Sequence, residues 1–150
     1  TLQEVTYAFF GERGSIDLLG LNQAIATAAI TEVKSEITSW EETQRRFDEK
    51  VRLLPKIVHE RFGWRPRVVG RILILEDTPT NRRRIDALGP AADQLYPART
   101  RRVRAWLREP HGDLAGIWFL SPEPGGVLAA AEVANTGSEC CKMPVYPRHF

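Results

Sequence analysis

The chain has 150 residues, of which 43% are hydrophobic and 27% are charged, and these proportions are ordinary for one globular domain with a substantial core. No apolar run approaches the roughly 20 residues of a membrane-spanning helix, and no signal peptide opens the chain, so we expect no membrane partner. The net charge of only +2 says little about partners, although arginines are concentrated between Arg45 and Arg104.

The first third of the chain is predicted to form three strands. Leu2–Phe10 is apolar and rich in residues that favour strands, and Gly11–Gly14 is predicted to turn into a second strand at Gly14–Leu19. The segment from Gly20 to Thr27 suits a hairpin loop. Ala28–Lys34 is the third predicted strand.

Three charged residues interrupt these apolar strands. Asp17 and Glu32 lie equally far from the middle of the predicted loop, so a simple hairpin sets them opposite each other. Because side chains alternate along a strand, Glu32 and Lys34 share one face. Two carboxylates and an ammonium suit a hard divalent cation with a lysine beside it. The plain alternative is a pair of solvated strand ends, but the apolar flanks favour a partner or a metal.

Asp17, followed on the next apolar strand by Glu32-x-Lys34, resembles the PD-(D/E)xK motif of the restriction-endonuclease-like nuclease superfamily. The segments Glu12–Leu19 and Trp64–Pro66, and more weakly Gly116–Leu120, also resemble the C-terminal domain of some actinobacterial XRE-type helix-turn-helix regulators. The superfamily usually places a helix before its first strand, and this chain starts too late to show it.

The resemblance implies an α/β fold of the restriction-endonuclease-like, three-layer kind, with a central mixed β-sheet flanked by helices. This domain is expected over residues 1–121. Residues 122–150 are expected to form a partly disordered C-terminal extension.

A metal-dependent nuclease is the function that the resemblance implies. Asp17 and Glu32, helped by the Val33 carbonyl, would bind Mg²⁺ or Mn²⁺ through oxygen ligands. Lys34 would orient the attacking water or stabilise developing negative charge. Gln44, on the helix that follows, is assigned to orient water or phosphate. The substrate would be nucleic acid, with DNA favoured over RNA.

The remaining elements are predicted to alternate helices and strands, which is typical of a mixed sheet flanked by helices. Ser39–Glu42 forms a capping box, and the helix it starts is expected to kink or break at Pro55 and to end near Arg61. The later predicted elements are a buried strand at Val68–Leu75, a helix from Thr78, a helix over Leu95–Leu107 and a strand at Ile117–Leu120.

Basic side chains outside the motif are assigned to the phosphate backbone, where they would give affinity without reading sequence. They are Arg13, Arg45, Lys50, Arg52, Arg82, Arg83, Arg101 and Arg102. A solvated outer face has the same appearance in a sequence. Because the chain begins with Thr1 rather than Met, we expect a fragment or a processed protein. The resemblance implies that a sequence-reading helix-turn-helix domain precedes it.

Other chemistries fit poorly. His59, His111 and His149 are scattered, and the adjacent Cys140 and Cys141 leave no spaced ligand set for zinc. The cysteine usage fits a reducing, cytoplasmic location. Two further functions stay open. One is a catalytically silent DNA-binding or effector domain of a helix-turn-helix regulator, which could pair as a homodimer. The other is an RNA-cleaving, toxin-like effector with the same metal site.

Overall fold

The computed structural model describes residues 1–9 and 11–121. Five strands form one sheet: β1 (Leu2–Phe9), β2 (Glu12–Asn22), β3 (Thr27–Lys34), β4 (Val68–Glu76) and β5 (Leu114–Leu120). The helices in this part of the chain are α1 (Trp40–Phe62), α2 (Pro79–Leu88), α3 (Pro90–Leu95) and α4 (Thr100–Arg108).

The strands lie side by side in the order in which the chain makes them. β1 and β3 both pair antiparallel with β2, whereas β3, β4 and β5 run parallel to one another. The parallel pairs need crossover connections, which α1 supplies before β4 and the other helices supply before β5. The predicted mixed α/β sheet that begins as a meander is therefore confirmed.

Helices cover both faces of this sheet, which gives three layers. The face covered by α1, called here the α1 face, also carries Ile85 of α2 and Ala92 of α3. The opposite face, called the α4 face, packs Val103 and Trp106 of α4 against the sheet. Because side chains alternate along β4, Leu73 and Leu75 face α1 while Ile72 and Ile74 face α4. This two-sided burial explains the continuous apolar run in β4.

The hairpin between β2 and β3 has the predicted register. Leu18 pairs with Thr31 and Asn22 with Thr27, so every pair is centred on the same midpoint as Asp17 and Glu32. The strands themselves are longer than predicted: β2 begins at Glu12 instead of Gly14 and continues through Asn22. A short 3-10 turn at Gln23–Ile25 closes the hairpin.

The predicted break of α1 at Pro55 is wrong, because the helix runs unbroken from Trp40 to Phe62. Proline removes one backbone donor and crowds the preceding turn, but Leu54 and Ile57 on either side of it are fully buried. Their packing stabilises the continuous helix around the proline. At the N-terminus the Ser39 hydroxyl accepts a hydrogen bond from the Glu42 amide at 3.2 Å, which is one half of the predicted capping box; the Glu42 carboxylate binds Arg45 and Arg46.

The predicted helix over Leu95–Leu107 is also wrong at its start, because α3 ends at Leu95 and α4 begins only at Thr100. Pro97 lies between them, and a residue before proline avoids helical angles; Tyr96 has φ −134° and ψ 75°. Ala98 then bridges to Gly116 in parallel fashion. The chain thereby passes from the α1 face to the α4 face around the edge of β5.

Residue 10 and residues 122–150 lie outside the described part of the chain, and with them the predicted extension and the two cysteines. Within the described part, none of the helices combines the length and the apolar character that crossing a membrane requires.

Candidate functional site

Asp17 lies where the backbone pairing of β2 is interrupted. On the β3 side, the pairing ends at Leu18 and Thr31. On the β1 side, the pairing skips the position of Asp17, where Glu4 of β1 has a left-handed φ of 49°. A left-handed non-glycine residue costs on the order of 1–3 kcal/mol and occurs mainly where the surrounding structure enforces it. The sheet is therefore locally irregular at the residue that the motif prediction singled out.

The Asp17 side chain takes the place of a backbone partner for β3. Its Oδ2 accepts a hydrogen bond of 2.7 Å from the Val33 backbone amide. Burial raises the pKa of Asp17, and nearby Glu32 acts in the same direction; the Val33 hydrogen bond and the charges of Lys50 and Lys34 oppose them without cancelling the increase. The carboxylate is thus held between the strands, within the electrostatic reach of every other charged group of the site.

Glu32 is buried and bound by two lysines. The residue is only 3% exposed. Its Oε1 lies 2.9 Å from the Lys34 ammonium and its Oε2 lies 2.5 Å from the Lys50 ammonium. Two carboxylates and two ammonium groups therefore form a compact cluster with no net charge, called here the Asp17 cluster: Asp17, Glu32, Lys34 and Lys50. Burial of Glu32 is tolerable because both of its oxygens are bonded.

Lys50 is the member of the cluster whose position the sequence analysis misjudged. It was assigned to the solvent face of α1 as a phosphate contact, but its side chain is only 11% exposed and points to Glu32. Lys50 follows the buried Phe47 by three residues and precedes the buried Leu54 by four. Residues at these spacings share one helix face, so the positions of Phe47 and Leu54 in the sequence indicate that Lys50 faces inward.

Gln44 is not in hydrogen-bond contact with the cluster. Its Oε1 accepts hydrogen bonds from the Tyr96 hydroxyl at 2.7 Å and from Arg71 at 2.9 Å. Within the described residues, its buried Nε2 has no hydrogen-bond partner. The structure therefore places Gln44 in a second polar group, together with Tyr96 and Arg71.

Arg71 organises this second group and was missed by the sequence analysis. Its guanidinium lies 2.5 Å from an Asp48 carboxylate oxygen and stands over the rings of Phe47 and Tyr96, at 4.8 and 5.2 Å from their centroids. Such cation–π contacts stabilise a partly desolvated guanidinium. A single arginine within the apolar run of β4 was the available signal, since a charge in a buried strand needs partners.

The structure divides the basic residues assigned to nucleic acid into two classes. Arg45, Arg52 and Arg82 are bound to Glu42, Glu12 and Asp77 respectively. For the others, no ion pair with an acidic residue is found among residues 1–9 and 11–121: Arg13, Arg83, Arg101 and Arg102. Exposed ion pairs contribute little stability, but a paired arginine must give up its partner before it can bind phosphate.

The donor atoms around Asp17 fit a hard divalent cation in their chemistry. Asp17 and Glu32 supply carboxylate oxygens, the ligands that Mg²⁺ prefers. In an extended strand the N–H and C=O of one residue point to the same neighbouring strand, so the Val33 carbonyl faces the Asp17 side. Both Glu32 oxygens are held by lysines, so an ion that used one of them would displace an ammonium. The described residues contain no group of three or more His, Cys, Asp or Glu side chains arranged around a metal position.

Comparison with known proteins found no relative of this chain. The resemblance to the PD-(D/E)xK superfamily therefore rests on Asp17, Glu32, Lys34 and the order of the strands that carry them. No protein-family model, curated protein or solved structure matches the chain.

Proposed function

We propose that this chain is a restriction-endonuclease-like domain that hydrolyses nucleic-acid phosphodiester bonds, most readily those of DNA, with the help of Mg²⁺. The observation that supports the proposal is the meeting of Asp17, Glu32 and Lys34 at the point where β2 and β3 stop pairing. An interrupted ladder leaves backbone and side-chain oxygens directed into the gap between the strands. Structural ion pairs do not require such a gap.

Each residue of the cluster has a distinct role in this proposal. Asp17 and Glu32 hold the divalent ion together with the Val33 carbonyl. When bound, such an ion activates a water molecule and offsets charge on the attacked phosphate. Lys34 is partly exposed, with 36% of its side chain accessible, so its ammonium can donate to a phosphate oxygen that gains negative charge during hydrolysis. The lysine remains bonded to Glu32 until substrate arrives.

A second candidate function is supported by the two lysines that bind Glu32. Because Lys34 and Lys50 both bind Glu32 and their two positive charges balance those of Glu32 and Asp17, the cluster is complete as a structural unit without a metal. A catalytically silent domain of a helix-turn-helix regulator, which binds DNA or an effector, would need no more than this. The two functions differ in whether the cluster exchanges an ammonium for a divalent ion.

Cleavage by the full-length protein separates the two functions. Linear duplex DNA, structured DNA and structured RNA are incubated with the protein in Mg²⁺ or in EDTA. Lys34→Ala should lower Mg²⁺-dependent cleavage by about a hundredfold or more, the size expected for losing a group that stabilises transition-state charge. Its fold and its nucleic-acid affinity in EDTA should be nearly unchanged.

Lys56→Ala is the matched control, because Lys56 is an α1 lysine that faces the exposed Glu60 instead of the cluster. It should cleave like the wild type. If the wild type cuts none of the three substrates, or if Lys34→Ala cuts as fast as the control, the nuclease proposal is wrong and the silent domain is preferred.

A further inference from the structure

The exposed side of α4 consists almost entirely of arginine. Val103 and Trp106 face the sheet and are buried. The arginines of the helix lie on the outer side and are exposed, and together they are called here the α4 arginine face: Arg101, Arg102, Arg104 and Arg108. Only the small side chain of Ala105 lies exposed among them.

The arginines of this face lack acidic partners, in contrast to most of those on α1 and α2. On α1, Arg45 and Arg46 both bind Glu42, and Arg52 binds Glu12. On α2, Arg82 binds Asp77 and Arg84 binds Glu36. As far as the described residues extend, none of the four α4 arginines forms an ion pair. Arg13, Arg61, Arg65, Arg67 and Arg83 are exposed without an ion pair as well, but none of the helices α1, α2 and α3 carries more than one such arginine. Among these helices, unpaired positive charge is therefore concentrated on α4.

We propose that the α4 arginine face is the surface on which a nucleic-acid phosphate backbone docks; the choice of nucleic acid rests on the function proposed above. Guanidinium groups match phosphate oxygens with two parallel hydrogen bonds, which an ammonium cannot do. At about 1.5 Å per residue, Arg101 and Arg108 are separated by roughly 10 Å along the helix. Duplex DNA carries on the order of six phosphate charges over that length.

The chemistry of the face favours nucleic acid over an anionic membrane. Helices that lie on membranes combine basic residues with large apolar side chains that enter the lipid. On α4 the large apolar side chains pack into the protein, where Trp106 is only 7% exposed. The outer side then offers arginine and a single alanine, so electrostatic attraction to a backbone is the interaction that it supports.

The start of the α4 arginine face lies at the same end of the sheet as the Asp17 cluster. α4 begins at Thr100, whose hydroxyl accepts a hydrogen bond of 3.1 Å from the Phe119 amide near the end of β5. Lys34 is the last residue of β3, which runs parallel to β5 with only β4 between them. Lys34 and the start of α4 therefore lie toward the same carboxyl end of the parallel strands, and β3 and β5 are about 10 Å apart across two strand spacings. The cluster lies on the α1 face and α4 covers the opposite face, so a backbone held by α4 would pass around this end of the sheet to reach the cluster.

The test measures binding separately from cleavage. Anisotropy of a labelled DNA duplex of arbitrary sequence is recorded in EDTA over a series of salt concentrations, using the full-length protein. One variant changes Arg101, Arg102, Arg104 and Arg108 to glutamine. A matched variant removes the same charge from ion-paired arginines, by changing Arg45, Arg46, Arg52 and Arg82 to glutamine. A third variant, which changes only Arg101 and Arg102, provides a milder substitution in case the fourfold change perturbs the fold.

Each phosphate contact contributes about 0.9 to the slope of log affinity against log salt. The α4 variant should therefore lose a slope of about 3–4, and the double variant about half of that. The matched variant should keep the wild-type slope to within about 1. Melting curves check that all three remain folded, as expected for exposed side chains.

Three results would overturn the proposal: an α4 variant with the wild-type slope, a matched variant with the larger loss, or wild type that binds only anionic phosphatidylserine vesicles. Because the assay contains EDTA, its outcome is independent of catalysis. Binding through α4 by a protein that never cleaves would contradict the nuclease function and leave the docking surface established.

Discussion

Burial disfavours the charged form of Asp17 more than the Val33 hydrogen bond and the two lysines favour it. The pKa of Asp17 is therefore raised above the usual aspartate value. Between the unfolded and folded pKa values, the native state binds more proton than the unfolded state. The free energy of unfolding therefore falls as the pH rises through that window, and the loss persists at neutral pH. A ligand that binds the Asp17 carboxylate in the folded state would offset this loss of stability.

Asp17→Asn tests this balance without a divalent ion. The variant should melt above the wild type at neutral pH, because the desolvated charge is gone, and the difference should shrink toward the unfolded pKa of about 4. Added Mg²⁺ should raise the melting temperature of the wild type, since a ligand of the folded state stabilises it, but not that of the variant. Equal stabilisation of both proteins would place the ion elsewhere.

Lys50 is the residue through which α1 holds Glu32. Lys50→Met should destabilise the protein by less than the roughly 3–5 kcal/mol typical of breaking a buried pair, because Lys34 still compensates Glu32. The double variant Glu32→Gln with Lys50→Met also removes the charge of Glu32, so it should recover part of the lost stability. Urea denaturation measures both changes. A double variant less stable than the single one would contradict the pairing of Lys50 with Glu32.

Lys50→Met also tests whether Lys50 competes with a divalent ion for Glu32. If Lys50 and a divalent ion compete for Glu32, then Lys50→Met should show a larger Mg²⁺-induced rise in melting temperature than the wild type. An unchanged rise would mean that the ion does not use the Glu32 oxygen bonded to Lys50. Lys56→Met, on the same helix but ion-paired with Glu60 instead of Glu32, is the control.

Among the site residues, those of the β2–β3 hairpin were easier to predict than Lys50 and Arg71. The alternation of side chains along β3 and the symmetry of the hairpin are enough to bring Asp17, Glu32 and Lys34 together, because both depend only on local geometry. Lys50 and Arg71 were misjudged or missed because their partners are distant in sequence. A charge can be assigned to a buried partner only when the packing of α1 on β3 and β4 is known.

At the scale of elements, α4 approaches the sheet through two glycines. A Cβ at Gly70 would overlap the Trp106 ring, and one at Gly116 would overlap the Val103 side chain. Gly116 also faces the backbone carbonyl of Ala98 at 3.2 Å from such a Cβ. The neighbouring backbone therefore has little freedom to adjust.

Gly116→Ala should lower the free energy of unfolding by about 1–3 kcal/mol, the usual cost of overpacking. Gly20→Ala is the control on the same sheet, because its new Cβ would meet Ala29 Cβ at 3.4 Å, an ordinary contact. Chemical denaturation of both variants checks this. If both variants lost the same stability, the effect would be a general one of replacing glycine in a strand.

Two prolines show where the prediction of elements reaches its limit. Pro55 lies inside the continuous α1, whereas Pro97 separates α3 from α4. A proline in a helix interior costs roughly 3 kcal/mol or more, which the buried residues around Pro55 offset. Near Pro97, Tyr96 is fixed by its hydrogen bond to Gln44, and the chain must turn toward the α4 face. Local sequence cannot distinguish these cases, since the difference lies in tertiary packing.

At the scale of the whole molecule, the mixed sheet and its helical layers could be predicted because the strands are joined in a simple order. Each predicted strand needed only to pair with the next one along the chain. The division of the helices between the two faces was not predictable in the same way, because the passage around β5 depends on the bridge between Ala98 and Gly116.

The order of the strands in the sheet, identical to their order in the chain, also bears on how the molecule folds. The β1–β3 meander joins strands that are close in sequence, and hairpins form in microseconds, before pairings that must close longer loops. The Asp17 cluster lies wholly within β2, β3 and α1, so it can assemble before β5 is added. In pulsed hydrogen exchange during refolding, the Val33 amide should gain protection ahead of the β5 amides. Earlier protection of β5 would mean that the parallel half of the sheet nucleates folding and that the charged cluster assembles on it.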